Sequence, residues 1–540
     1  MRKLILASLI LVVMGLLSPL LSAATWQYQI PWERGLDKAG KPLPSGAAYL
    51  WLPPASRQLR GVLLMGKLGI ELEIALSPEV RQACTDSDVG ILYITPHPDG
   101  VFHFWQKPES GQRLLAILDA VAQQSGRPEI KRVPWITAGH STAGIYCRNV
   151  AYWMPQRVAG VLHIKSGNFH QADHLPPTGS LVGVPLLAIN GQLESFGPGK
   201  IEQPDEVNKG WDKRFGRETQ WNYCLWDLQK FRKQDANYLL GLAVHPGEDH
   251  FHGGPELSNL AAIFIRQTAL HRLPKQLPAG DAPVAVLPLK AEDGWLSDPD
   301  LRHPHFPFAR YAQYAGDRTE ALWYYDQIMA DAVATFQRNL GDHQVLAGPE
   351  ITWLDDGDGW TFKASSAFLD TWPEKFRGPL VGQAVGHSTT PFIYRCKIEQ
   401  PVVPIGPDTF RVLRPIKSVN IAAYHPGDLQ FRATCRWGDS VVPIATKGQT
   451  QTIDFPPIAE VKSDSPGLLL TAKASSGLPV YYEVDYGPVT VSDGKLIPSE
   501  VPAVGQFPIA CKVTAYQLGR RTGEPILPAA PVSQSFTLVR

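Results

Sequence analysis

The sequence predicts an α/β architecture, a mostly parallel sheet with helices on both faces, followed by β-rich domains. Three observations carry that expectation. From about Leu50 to Leu273, short apolar runs alternate with helical patterns. Buried strands separated by helices imply parallel pairing, because each crossover returns over one face of the sheet. The texture then changes at the Pro/Ala-rich stretch Pro274–Pro283, which reads as a linker or domain boundary. The C-terminal stretch carries short strand-like runs between polar turns, the pattern of a small β-sandwich.

The elements follow in chain order. Arg2 and Lys3 precede an apolar run from Leu4 to Leu17, and small residues follow at Ser22, Ala23 and Ala24. This pattern predicts a signal peptide over residues 1–24, with an uncleaved membrane anchor as the alternative. No stable membrane span is expected after cleavage, and the mature protein is expected to be secreted or periplasmic. Strands are predicted at Gly61–Met65, Gly90–Thr95, Val133–Ala138, Val158–Ile164, Pro185–Ile189 and Leu239–Val244. Between them, Gln112–Gln124 places Leu114, Leu115, Leu118 and Val121 on one helical face. These elements define a first domain over residues 25–275. Residues 284–445 read as a second, β-rich domain of unknown role, with a helix over Thr319–Gln337 and strand-like alternation over Phe410–Arg436. A third domain, residues 447–540, has strands at Leu468–Ala474, Val480–Tyr486 and Pro508–Tyr516.

Composition removes several function classes. The 540 residues carry 51 Lys plus Arg against 51 Asp plus Glu, so there is no net charge to attract a polyanion, and no nucleic-acid partner is expected. Six cysteines (Cys84, Cys147, Cys224, Cys396, Cys435, Cys511) include no CxxC pair, so zinc is not signalled. Asp355–Asp356–Gly357–Asp358–Gly359 resembles a calcium loop only superficially, since its glycine falls too early and no Glu closes it. His303 and His305, near Asp298 and Asp300, are interrupted by prolines, and no helix aligns them as metal ligands.

The chemistry concentrates at VPWITAGHSTAG. A β-branched strand runs into Gly139–His140–Ser141–Thr142–Ala143–Gly144, and a helix over Ile145–Trp153 follows. Small residues on both sides of Ser141 suit a sharp strand-to-helix turn that lifts the hydroxyl clear of the sheet. This motif, in this context, resembles the nucleophile turn of the α/β-hydrolase family, with Ala143 where the family pattern usually has Gly.

The resemblance implies a triad in the order serine, acid, histidine, and no cofactor. In GLAVHPGEDHFHGG the implied base is His250, with His252 as competitor and His245 nearer the strand end. In VPLLAINGQLES the implied acid is Glu194, with Asp205 as the substitute. The implied oxyanion donors are the backbone N–H groups of Thr142 and Lys67, the latter on the loop Gly66–Lys67–Leu68–Gly69. Trp211, Trp221 and Trp226, between acid and base, either line a pocket above the serine or pack a cap.

A second resemblance is carried by QTIDFPPIAEV, LTAKASSGLPVYYEVDYGPVTVSDGKL and VTAYQLG, which are similar to immunoglobulin-like modules of exported bacterial proteins. It implies a spacer or adhesion role, with contact to carbohydrate or a cell surface. Together these readings point to an exported carboxylic-ester hydrolase acting on a small-molecule or polymeric ester. A serine peptidase and a non-catalytic binding protein on a hydrolase scaffold stay open.

Overall fold

A computed structural model describes residues 26–35, 40–66, 69–166, 175–192, 194, 220–300, 304–337, 342–355, 357–374 and 381–540. The segment 1–24, and with it the expected signal peptide, lies outside these residues. Among the described residues, no helix is long and apolar enough to cross a membrane.

The first domain is built on an eight-stranded sheet: β1 (Tyr28–Trp32), β2 (Gly46–Trp51), β3 (Gly61–Gly66), β4 (Val89–Thr95), β5 (Trp135–His140), β6 (Val158–Ile164), β7 (Leu186–Gly191) and β8 (Leu240–His245). Their spatial order is β1-β2-β4-β3-β5-β6-β7-β8. β2 pairs antiparallel with both β1 and β4, and from β4 onward every pairing is parallel. Strands β3 and β5 to β8 are buried at every position, as a sheet covered on both faces requires.

The helices follow from apolar spacing and capping. They are α1 (Glu71–Leu76), α2 (Pro78–Asp86), α3 (Glu109–Ser125), α4 (Thr142–Trp153), α5 (Gln220–Gln234) and α6 (Pro255–Arg272). Ser77 caps α2 by accepting from Val80 N, with Pro78 at the first helical position. Gly126 ends α3 in the left-handed region at φ 68°. The buried face of α3 carries Leu114, Ile117, Leu118 and Val121, close to the predicted stripe.

The stretch after Pro283 departs from expectation. Residues 291–336 pack onto the first domain's own core, through β9 (Trp295–Ser297), β10 (Ala309–Arg310), β11 (Leu322–Tyr324) and α7 (Gln327–Phe336). The helix expected over Thr319–Gln337 therefore starts only at Gln327, and a three-residue strand stands in its first part. Leu322, Trp323 and Tyr324 are fully buried and pair with β9, so burial of aromatic area overrides helical periodicity there. Asp326 then starts α7 by accepting from Met329 N at 2.9 Å.

A separate core follows, formed by Trp360, Phe362, Phe410, Val412, Val419 and Ile421. Its strands are β12 (Glu350–Trp353), β13 (Thr361–Ser365), β14 (Ile393–Cys396), β15 (Val402–Pro404), β16 (Thr409–Val412), β17 (Ser418–His425) and β18 (Thr434–Val441). They form two sheets, β12-β13-β16-β15 and β14-β17-β18. The last module holds β19 (Ile453–Asp454), β20 (Val461–Lys462), β21 (Leu468–Leu469), β22 (Lys473–Ala474), β23 (Tyr481–Tyr486), β24 (Val489–Ser492), β25 (Lys495–Pro498), β26 (Ile509–Tyr516) and β27 (Val532–Val539). Its larger sheets run β20-β27-β26-β23 and β21-β25-β24.

This last module is fastened to the start of the first domain. Glu500 accepts from Arg81 at 2.9 Å and from the Trp51 indole at 3.1 Å, and its carbonyl accepts from Gln27 at 2.7 Å. Arg81 is almost fully buried and lies 4.9 Å over the Trp51 ring, and the Glu500 carboxylate offsets its charge. Because Glu500 keeps partial solvent contact, Glu500→Ala is expected to cost about 2 kcal/mol. Urea unfolding of the two proteins, monitored by tryptophan fluorescence, measures the difference.

Candidate active site

The carboxyl ends of β5, β7 and β8 meet at one place, where a parallel sheet delivers its loops. β5 ends at His140, and Ser141 turns the chain into α4 with φ 54° and ψ −126°. A left-handed φ on a serine costs about 1–3 kcal/mol and persists only where the surroundings enforce it. Here Ser141 N donates to Ile164 O at 2.9 Å, and Ser141 O accepts from Gly144 N at 2.9 Å. The Ser166 hydroxyl adds a third bond to Ser141 O at 2.6 Å.

The glycines of the motif have distinct reasons. A Cβ on Gly139 would lie 2.2 Å from Ala143 O, and one on Gly144 would lie 1.7 Å from Ser166 Oγ. The tight approaches therefore fall at positions 139 and 144. Ala143 is accommodated as a buried methyl.

Three side chains stand in a row. The His250 Nε2 lies 2.9 Å from Ser141 Oγ, and its Nδ1 lies 2.6 Å from Glu194 Oε1. Glu194 is buried, and its second oxygen accepts from Gly191 N at 2.6 Å. Both carboxylate oxygens are thus committed, which fixes the ring's Nδ1 as the donor and leaves Nε2 free to accept. Chemically, an imidazole so oriented can take a proton from the serine hydroxyl.

The other predicted residues fall as follows. Thr142 is exposed at the first position of α4, where no carbonyl within the helix can satisfy its N–H. Lys67, Asp205, Trp211, Asp356 and His303 lie outside the described residues. Trp221 is buried and Trp226 half-buried on α5, which packs on β7 and β8. Asp298 is spent on the backbone N–H groups of Asp300, His305 and Phe306. Asp358 is paired with Arg411, and Asp355 with Arg521.

His252 and His245 are engaged with other groups. His252 forms ion pairs with Asp249 at 2.8 Å and Glu248 at 3.2 Å and stacks on Trp437 of β18 at 5.1 Å. Burial disfavours its cation, but the two carboxylates outweigh that and raise its pKa. Glu248 is pulled down to about 2 despite its burial, by His252, His245 and Lys165. His245 is buried against Phe336, and burial holds it near 4, so it is neutral.

Sequence reasoning missed several groups. His140 sends Nε2 to within 2.8 Å of His250 O, and burial beside the His250 ring lowers its pKa to about 3. Glu71, buried on α1, accepts from His140 N at 2.8 Å and Gly69 N at 2.7 Å. Phe251 stands 57% exposed, edge-on to His250 at 4.5 Å, and offers the site an apolar contact. The residue before a serine motif and the residue after a histidine were both legible as positions, though their contacts were not.

No protein-family model matches the chain, and no curated protein matches it. Solved structures similar to it include LpqC, a poly(3-hydroxybutyrate) depolymerase from Bordetella parapertussis, at 15% identity and a TM-score of 0.30. That match covers 44% of this chain and 89% of the other. Est1E from Butyrivibrio proteoclasticus matches at 13% identity and a TM-score of 0.27, covering 45% of this chain and 98% of the other. Siderophore hydrolase EstA from Aspergillus nidulans matches at 14% and 0.29, covering 44% and 94%. By its own strand order and its strained turn at Ser141, the N-terminal region resembles the α/β-hydrolases.

Glu73 on α1 supplies a test of the site's electrostatics. It accepts from Gly254 N at 2.8 Å, just beyond the histidine loop. Burial, then the nearby Glu399, raises its pKa to about 7. The folded state therefore holds a proton that the unfolded chain releases near 4.5. That contribution to stability is full below pH 4.5 and is lost as pH rises through 7. Glu73→Gln is expected to melt above the wild type at pH 8, with the difference vanishing toward pH 4.5; calorimetry across that range measures it.

Proposed function

We propose that the protein is an exported serine hydrolase that cleaves carboxylic esters through Ser141, Glu194 and His250. The observation that carries this reading is the pair of contacts from one imidazole, 2.9 Å to Ser141 Oγ and 2.6 Å to Glu194. Ser141 Oγ attacks the ester carbonyl while His250 Nε2 takes its proton. The oxygen of the tetrahedral intermediate gathers negative charge, and the open N–H of Thr142 is one donor suited to it. The imidazolium, steadied by Glu194, then gives its proton to the departing alkoxide, leaving an acyl-serine. A water molecule, deprotonated by His250, attacks that acyl group and releases the acid, and the proton returns to Ser141. No cofactor enters the cycle.

Export is inferred from the pattern of residues 1–24, and it suggests an extracellular small-molecule or polymeric ester. The exposed Phe251 beside His250 suits an apolar acyl group. The similarity of the last module to immunoglobulin-like repeats suits a spacer or a surface contact, with carbohydrate as one partner.

Fluorophosphonate labelling of the mature protein with peptide mapping tests the reading. A single adduct on Ser141, absent in Ser141→Ala and His250→Ala, is expected. Hydrolysis of a short-chain nitrophenyl ester is expected to fall about 10⁴-fold or more in Ser141→Ala and about 10²–10⁴-fold in Glu194→Gln. Equal hydrolysis by wild type and Ser141→Ala would overturn the mechanism.

A further inference from the structure

We infer that Lys165, at the end of β6, is a positioning residue that holds the histidine loop in register with the serine turn; this rests on the proposed role of His250. Lys165 is completely buried, yet among the described residues no carboxylate oxygen accepts a hydrogen bond from it. Its Nζ donates instead to the carbonyl of Asp249, at 2.5 Å, and to that of His252. Those two carbonyls flank His250. An ammonium taken out of water is costly unless its hydrogen bonds are met, so these contacts are strong constraints on the loop.

The backbone around Lys165 is as constrained as its side chain. Lys165 sits at φ 46°, a left-handed conformation that lysine rarely adopts, and its N–H donates to Ile189 O at 2.6 Å. Its neighbour Ser166 bonds the carbonyl of Ser141 at 2.6 Å. Two consecutive residues just past β6 thus reach opposite ways. Ser166 fixes the serine turn on the β5 side, and Lys165 fixes the histidine loop on the β8 side. The distance between Ser141 Oγ and His250 Nε2 is set by this bridge.

Acidic side chains of the same loop complete the arrangement. The charge of Lys165 helps keep Glu248 and Asp249 ionised, and both acids hold His252. Removing the ammonium takes the lysine donor from two part-buried carbonyls and loosens the loop at the residues on either side of His250. A displacement of about 1 Å in a reacting pair costs on the order of 100-fold in rate.

The test compares wild type with Lys165→Met, which keeps the length of the side chain and removes its donors. In ester hydrolysis, kcat is expected to fall about 100-fold with KM within about 2-fold, and fluorophosphonate labelling to slow in parallel. Hydrogen–deuterium exchange of the peptide spanning residues 246–254 is expected to quicken, with the rest of the first domain unchanged. Wild-type labelling and kcat in a folded Lys165→Met would overturn the inference, as would unchanged exchange in that peptide. Should Lys165→Met not fold, Ser166→Ala removes the other arm of the bridge and is expected to slow labelling about 10-fold; an undiminished rate would overturn the inference equally. Failure of the wild type itself to label would strike at the ester-hydrolase reading, while the exchange measurement would still decide whether Lys165 holds the loop.

Discussion

The strained backbone of Ser141 is the constraint on which the rest of the site depends. A serine at φ 54° relaxes unless its flanking groups are tied, and here its N–H and its carbonyl are both bound to neighbouring elements. Ile164, the last residue of β6, and Ser166, two residues on, supply those ties, so the turn is held where β5 and β6 are paired. Close packing enforces the same geometry, since neither Gly139 nor Gly144 leaves room for a methyl group. The strain is offset by the sheet that surrounds it.

From that fixed point the remaining groups follow by strand adjacency. β6 lies between β5 and β7, and β7 between β6 and β8, so serine, lysine, acid and histidine leave four successive strand ends. Each needs only a short reach to its partner. Glu194 is folded back onto Gly191 N, which keeps its carboxylate near the end of β7. The histidine loop is pressed against that same end, because a Cβ on Gly191 would lie 2.7 Å from Glu248 O. Charge then secures what packing brings together. His252 pairs with Glu248 and Asp249 on the loop, and the nearby charge of Lys165 helps keep both acids ionised.

Much of this was legible in the sequence, for reasons that are local. Small residues around Ser141, a strand before it and a helix after it are short-range signals of a sharp turn. Glu194 and His250 stood at the expected ends of apolar strands. What the sequence concealed is non-local. Lys165 is one lysine among many until β6 is set beside β8, since its partners lie 84 and 87 residues away. The strands β1 and β2 escaped notice because they precede the alternating α/β pattern and pair antiparallel. Residues 291–336 read as the start of a new domain because a proline-rich stretch precedes them. Their aromatic side chains nonetheless pack on β8, the last strand of the sheet, where Tyr324 donates to Leu242 O at 2.8 Å and Trp323 is buried.

The second β-rich unit bears on the chemistry through the loop it covers. Trp437 stacks on His252, Arg436 approaches Asp249 at 3.7 Å, and Arg395 with Tyr424 grips Glu256 at the start of α6. Gly247, at φ 70°, comes so close to the chain just before β18 that an added Cβ would lie 2.1 Å from Ala433 O. The histidine loop is therefore bounded on one side by Lys165 and on the other by this unit. A loop held from one side alone retains a hinge, whereas one held from both has a single position. Residues 393–441 thus complete a surface against which the histidine loop is folded. The geometry of the first domain and the stability of the second are thereby linked, since loosening either frees the same few residues around His250.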